Sequence, residues 1–386
     1  MNNHGQRALG VAWKRLKTVN MPSMSWVSPT PEDLGGTSVS TDNATDVLII
    51  LSASDVLPED FTVAVKVLFI VLYAVIIVLA LLGNTALVFV VLTNPAMRNV
   101  THTFLVSLAA SDILIAVWNM PFQLSFYVHN EWLLGEFMCK FTSYLQGVNI
   151  VSSTFALTGI AFERFYAICH PIKARYLRTM RRTVSLVLVF WVLSFSLLIP
   201  QIFLQKLLPK VKVDQSRYPL FSIAFVCVEV FEQKTAMMAY TFFFYFVLYL
   251  LPMTVMFGTY GKIAHRLWVQ QPIGDALSNP QHHIRHTRQK KKIIKTLITV
   301  VVLFAVCWFP FFTMQIFLLF REVTYEFRVA SAVFKLVGYM NSCLNPLLYA
   351  FMNDAFRRYL CVSVFHKCRR ENKDQGNVSV TIETGV

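Results

Sequence analysis

The chain is expected to be an all-α membrane protein, a seven-transmembrane helix bundle with a short amphipathic eighth helix. Three observations lead there. Hydrophobic residues make up 55% of the chain and charged residues 15%, with a mean hydropathy of +0.53, too little polar surface for a soluble protein of 386 residues. The apolar residues are gathered in runs long enough to cross about 30 Å of hydrocarbon at 1.5 Å per helical residue. Lys and Arg concentrate in alternate connections between those runs, as cytoplasmic loops require.

The runs fall at 67–92, 103–128, 141–162, 184–204, 236–260, 296–320 and 329–352. Between Phe165, just past the third, and the start of the fourth lie Lys173, Arg175, Arg178, Arg181 and Arg182 with no acid. Between the fifth and sixth lie Lys262, Arg266, Arg285, Arg288, Lys290, Lys291, Lys292 and Lys295 against Asp275 alone. The opposite loops mix signs, so the amino terminus is expected outside and the protein is expected to be a multi-pass protein of the plasma membrane. The net charge of +14 is then mostly an inner-face property suited to anionic lipid, and nucleic-acid binding is a poor reading of it.

Residues 1–62 carry Pro, Ser, Thr, Asp and Gly without periodicity and read as a disordered extracellular tail ahead of a seven-transmembrane domain at 63–352. No apolar core with a cleavage site precedes the first run, so the tail is expected to cross without a removable signal. Of three Asn-x-Ser/Thr sequons, only Asn43 falls outside by this topology, which makes it the glycan candidate. After the seventh run, 353–360 reads as the amphipathic helix, its cations toward lipid headgroups, opening an inner tail at 353–386. Cys361 and Cys368 follow it and are palmitoylation candidates. The chain ends Glu383-Thr384-Gly385-Val386, so Thr384 and Val386 fit a ligand for a PDZ protein.

Glu163-Arg164-Phe165 closes the third run, and Asn345-Pro346-Leu347-Leu348-Tyr349 lies in the seventh. They resemble the E/DRY-type and NPxxY signatures of rhodopsin-like (class A) G-protein-coupled receptors. Gly83-Asn84, Asp112 in Leu108-Ala109-Ala110-Ser111-Asp112, the outer-loop set Trp132, Gly135 and Cys139, Trp191, Pro252 and Cys307-Trp308-Phe309-Pro310 extend the resemblance across all seven runs.

The resemblance implies several functional groups. Cys139 and Cys227 both lie on the oxidising side and are expected to pair, pinning the loop at 206–234 over the third helix. Asp112 stands mid-membrane, where an unpaired carboxylate costs a few kcal/mol. Asn84, Ser153, Asn341 and Asn345 match the family positions that gather a sodium ion and water around it; oxygen donors suit a hard cation, and a polar network without an ion is the other reading. The expected activation switch comprises Glu163 holding Arg164 at rest, Tyr260 and Tyr349 receiving it, and Trp308 with Pro310 at a kink in the sixth helix. Two departures weaken the resting lock: Phe165 replaces a tyrosine, and Gln289-Lys290-Lys291-Lys292 offers no acid at the inner end of the sixth helix.

The ligand is bounded by substitutions. Eighteen residues before Arg164, about 27 Å toward the outside, amine receptors place an aspartate; this chain has Gln146. Opsins carry a retinal-binding lysine seven residues before the proline of the last motif; here that residue is Tyr339, with Lys335 one turn further out. Gln146, Gln123, Trp308 and Lys335 form the candidate ligand-contact set. Gln146 and the mixed-charge outer loop resemble receptors of the neuropeptide Y, neuropeptide FF and RFamide groups. An amide side chain has both donor and acceptor for an amidated peptide terminus, and Asp214, Glu229 and Glu232 could meet its Arg or Lys. The implied function is a neuropeptide receptor, not an enzyme, acting on heterotrimeric G proteins and arrestin, with no cofactor beyond the allosteric sodium. A small-molecule or lipid ligand is the alternative within receptors. A transporter is the remote one, disfavoured by an odd number of spans without internal repeats.

Overall fold

The computed structural model describes residues 60–177, 179–214, 220–231, 233–268, 280–320, 324–352 and 356–360. Seven long helices carry the fold: α1 (Val63–Thr93), α2 (Val100–His129), α3 (Gly135–Cys169), α4 (Met180–Leu204), α5 (Lys234–Trp268), α6 (Pro280–Phe317) and α7 (Tyr325–Met352). Asn43, Cys361, Cys368, Thr384 and Val386 lie outside the described residues.

Six of the seven helices are long and apolar enough to cross a membrane by themselves. α7 falls short because it carries Glu326, Arg328 and Lys335 and turns Asn341, Ser342 and Asn345 into the protein interior. Its insertion depends on neighbours, and it packs against α6 and α1. α3 is the central helix: 67% of its most apolar stretch is buried, against 17% for α4 and 22% for α1 and α5, which present most of their apolar surface outward. α3 touches α2, α4 and α5 in turn.

Local chemistry sets the ends and irregularities. Thr62 caps α1 by accepting from the Val65 N–H, and Asn99 caps α2 by accepting from the His102 N–H at 3.0 Å. α2 ends at Asn130, whose φ of 55° turns the chain, and α3 starts at Gly135 with φ of 77°, a conformation that only glycine adopts without strain. Wider π-helical turns at Ile115–Asn119 in α2 and Phe243–Leu250 in α5 precede Pro121 and Pro252, whose missing N–H groups break the regular ladder. Gly83 allows α1 against α7, since a Cβ there would lie 2.6 Å from Pro346 Cγ.

The segment read as a loop at 206–234 is largely a hairpin. β1 (Gln205–Asp214) pairs antiparallel with β2 (Leu220–Glu229). Alternation such as Lys210-Val211-Lys212-Val213 and the β-branched, aromatic run of β2 supply the strand pattern. The expected Cys139–Cys227 disulfide is formed, with Cα atoms 5.6 Å apart, and it ties β2 to the start of α3. A second tie comes from Trp132, whose backbone N–H donates to Phe225 O at 2.6 Å and whose indole donates to Gly135 O at 2.9 Å.

The last residues assigned to the tail are held in place. Phe61 is buried against Phe69, Tyr127 and Tyr325, and Asp60 pairs with Lys66 at 2.6 Å. Beyond α7, residues 356–360 are helical, with Phe356 buried and Arg357 and Arg358 exposed, the two-faced pattern expected of the eighth helix.

Candidate functional site

Three polar stations lie along the bundle, at the disulfide end, at mid-depth and at the Arg164 end. At the disulfide end α2, α3, α5, α6, α7 and the hairpin enclose a cavity of about 570 Å³. Gln123, Gln146 and Lys335 line it, as the sequence led us to expect. Lys335 Nζ donates to Gln123 Oε1 at 3.0 Å and sits 5.7 Å from the centre of the Phe311 ring. Tyr339 donates its hydroxyl to Gln146 Oε1 at 3.0 Å. One acceptor site of the Gln146 oxygen is thus used by Tyr339, and its Nε2 group offers a donor to a ligand.

Of the three loop acids, Glu229 reaches the cavity; Glu232 lies outside the described residues. Glu229 Oε1 accepts from Gln201 Nε2 at 2.6 Å and from Gln205 Nε2 at 3.0 Å, while Tyr240 donates to Gln201 Oε1 at 2.5 Å. Burial pushes the Glu229 carboxyl above the ordinary carboxylate range, opposed by the Gln201 bond, the positive Lys335 and the Gln205 bond. The cavity is thus bipolar, with a hydrogen-bonded carboxylate on β2 and an ammonium on α7 set in aromatic walls. Sequence reasoning missed Gln201, Gln205 and Tyr240; the four-residue spacing of the two glutamines across the junction of α4 and β1 was the available signal. Arg328 closes the mouth, lying 5.1 Å from the Phe61 ring and donating to Asn130 Oδ1 at 2.6 Å.

Trp308 is not among the residues lining the cavity. It lies one layer deeper, 1% exposed, and meets Tyr339 edge-on at 6.4 Å and Phe311 at 5.7 Å. Gly338 gives it room, since a Cβ there would stand 2.9 Å from the indole. Tyr339 therefore links Gln146 to Trp308, and Phe311, which lines the cavity, meets the same indole. Beside it, Tyr249 stacks on Phe312 at 4.6 Å and donates to Ala305 O at 2.5 Å, five residues before Pro310 interrupts α6.

At mid-depth Asp112 is 1% exposed and accepts from Asn345 Nδ2 at 2.9 Å. Asp112 Oδ1, Ser153 Oγ, Asn341 Oδ1 and Asn345 Oδ1 are buried without a hydrogen-bond partner among the described residues. Four such oxygens on three helices make a donor set for a hard cation. Asn84 is placed differently: its amide donates to Ala80 O at 2.9 Å and Ser342 O at 2.8 Å, tying α1 to α7.

At the far end Arg164 Nε lies 3.1 Å from Glu163 Oε2. Thr101 on α2, which the sequence did not single out, completes the clasp: its hydroxyl donates to Glu163 Oε2 at 3.0 Å and accepts from Arg164 Nη2. Tyr260 and Tyr349 are buried with hydroxyls that find no partner among the described residues. Lys291, in the stretch that lacks an acid, sits 5.4 Å from the Trp268 ring and links the ends of α6 and α5.

Comparison with known proteins follows the same lines. The family model described as 7 transmembrane receptor (rhodopsin family) matches residues 83–349. A QRFP-like peptide receptor of Branchiostoma floridae is 37% identical over 297 residues, covering 76% of each chain. A pyroglutamylated RF-amide peptide receptor of Mus musculus is 32% identical over 321 residues, 81% of this chain and 73% of that one. A RYamide receptor of Drosophila melanogaster is 30% identical over 308 residues, 78% of this chain and 65% of that one.

Proposed function

The chain belongs to the rhodopsin family of seven-transmembrane receptors, and from that premise we propose that it binds an extracellular peptide and transmits the event to a heterotrimeric G protein. It is a signalling receptor and not an enzyme. The bipolar cavity is the observation that carries the peptide reading. Buried Glu229, held by two glutamines, suits a cationic side chain, and the free Nε2 of Gln146 suits a backbone or terminal carbonyl. The matched relatives are named as receptors for peptides, which supports the same class of ligand.

In this reading the cavity faces outward at the plasma membrane, the amino terminus is extracellular, and the Arg164 end receives the G protein and then arrestin. Ligand contact at Gln146 disturbs Tyr339 and through it Trp308, which biases the Pro310 region of α6. Opening α6 at its far end requires the Lys291–Trp268 contact to give way and releases Arg164 toward Tyr260 and Tyr349. Asp112, Ser153, Asn341 and Asn345 would hold a sodium ion that favours the resting arrangement. Asn43 glycosylation, acylation at Cys361 and Cys368, and a PDZ contact through Thr384 and Val386 belong to the same proposal.

The test is a library of amidated neuropeptides applied to cells expressing the chain, with calcium and cyclic-AMP readouts. A peptide with a basic residue near its amidated end should activate. Activation by small amines or lipids alone would refute the peptide assignment.

A further inference from the structure

A second cavity, about 480 Å³, opens on the side of the bundle near the Arg164 end, between α3 and α5. Phe165 and Cys169 form its α3 wall, and Gly258 and Gly261 form its floor on α5. A Cβ added at either glycine meets nothing within 4 Å, so the groove is there because α5 lacks side chains at both positions. One turn further along α5 the rim carries Lys262, His265 and Arg266, all exposed. Among the described residues, no Asp or Glu lines the groove.

We propose that this groove binds one molecule of an anionic phospholipid, its phosphorylated headgroup on Lys262, Arg266 and His265 and one acyl chain over Gly258 and Gly261 against Phe165. Three features favour a lipid over a soluble anion. The apolar floor is continuous with the outward, lipid-facing surface of α5, where Phe257 is 48% exposed. The cations stand at the membrane-edge end of that floor, as a headgroup beneath an acyl chain requires. The glycine floor carries no polar side chain for a phosphate. Two Lys or Arg residues near an anionic surface strengthen binding by roughly tenfold or more, and a polyphosphorylated inositol headgroup engages both together with a protonated histidine. The site adjoins Phe165, the neighbour of Arg164, so occupancy reports on the arrangement of α3 and α5. The proposal rests on the orientation given above, in which this end faces the leaflet rich in anionic lipid.

The experiment uses the purified full-length receptor in nanodiscs of phosphatidylcholine alone or with phosphatidylserine or phosphatidylinositol bisphosphate, with bound lipid counted by native mass spectrometry. One retained phosphatidylinositol bisphosphate is expected. Lys262→Ala/Arg266→Ala should lower its retention about tenfold. Gly258→Leu/Gly261→Leu, which fills the floor and raises helix propensity, should displace the lipid with both cations intact. Retention unaffected by the glycine pair, or competition by soluble inositol trisphosphate as strong as by the lipid, would overturn the acyl-chain seat. Unchanged lipid retention with weakened G-protein coupling in the charge variant would mean that the patch is a protein contact, and the lipid site would be withdrawn. Because the readout needs no agonist, failure of the peptide assignment leaves this result interpretable.

Discussion

Replacing Gln146 with Ala tests the link between the cavity and the layer below it. Tyr339 is fully buried, and its hydroxyl donates to Gln146 Oε1 at 3.0 Å. Truncation strands that hydroxyl in free and bound receptor alike, a cost in stability, and removes the Nε2 donor offered to the ligand, which leaves a buried ligand carbonyl unpaired at a cost of about 1–3 kcal/mol in binding. At about 1.4 kcal/mol per factor of ten, agonist affinity should fall roughly five- to a hundredfold. Radioligand competition on membranes, with surface abundance measured by antibody, separates this loss from misfolding.

A second variant divides the loss into its parts. Tyr339→Phe removes the donor while the oxygen it served borders the cavity, so its cost should be smaller than that of Gln146→Ala. In the double variant no buried hydroxyl is stranded, and it should bind agonist no worse than Gln146→Ala alone. In the proposed contact Gln146 meets a ligand carbonyl through its Nε2 donor, since its oxygen already serves Tyr339, and the loss should then be of similar size for amidated and free-acid forms of a peptide. Unchanged affinity in Gln146→Ala, or full additivity of the two substitutions, would refute the Gln146–Tyr339 relay.

Other perturbations follow from the same geometry. Cys139→Ser or Cys227→Ser should abolish ligand binding because Glu229 lies two residues from the bond that anchors β2; near-normal binding in both would remove the hairpin from the site. Glu229 is raised above an ordinary glutamate's value of about 4.3, so a cationic peptide should lose affinity as pH falls toward that higher value, the carboxylate gaining its proton, while Glu229→Gln should flatten the dependence; an unaltered pH profile in the variant would count against the contact. Asp112→Asn should remove any weakening of agonist binding by sodium, and a persisting sodium effect would relocate the ion. Glu163→Gln and Thr101→Val each break the clasp on Arg164 and should raise ligand-free signalling at equal surface level; reduced or unchanged basal output would mean that the clasp does not hold the resting state.

The bundle was legible because a membrane punishes every unpaired polar group, which makes apolar runs a reliable marker of α1 through α6. α7 is instructive, since its hydropathy is compromised by the side chains that matter, and Asn345-Pro346 together with Tyr349 identifies it where composition does not. The hairpin was not legible in a segment read as a loop, although strand alternation was present in Lys210–Val213. Among three loop acids, only burial beside Gln201 and Gln205 singles out Glu229, and burial is set by the hairpin's register and the disulfide. Thr101 carried no signal: its role depends on α2 meeting α3 across 62 residues of chain.

The unequal treatment of buried polar groups explains how one fold can hold two arrangements. The clasp joins Glu163, Arg164 and Thr101 by an ion pair and two hydrogen bonds, whereas the hydroxyls of Tyr260 and Tyr349 are buried with no hydrogen-bond partner among the described residues. An unsatisfied buried hydroxyl costs about 1–3 kcal/mol, so an arrangement in which Arg164 or ordered water reaches these tyrosines regains what breaking the clasp loses. Asp112 and Asn345 sit between the two ends with spare oxygens of their own, so an ion there stabilises whichever arrangement keeps those oxygens together. In the proposed mechanism the two states differ by a few kcal/mol, within what a peptide contacting Gln146, Glu229 and Lys335 would supply through differential binding. A ligand with equal contacts in both arrangements would bind without signalling, and in the proposed mechanism the Gln146–Tyr339 bond, joining a cavity residue to a fully buried one, is the contact through which a ligand distinguishes them.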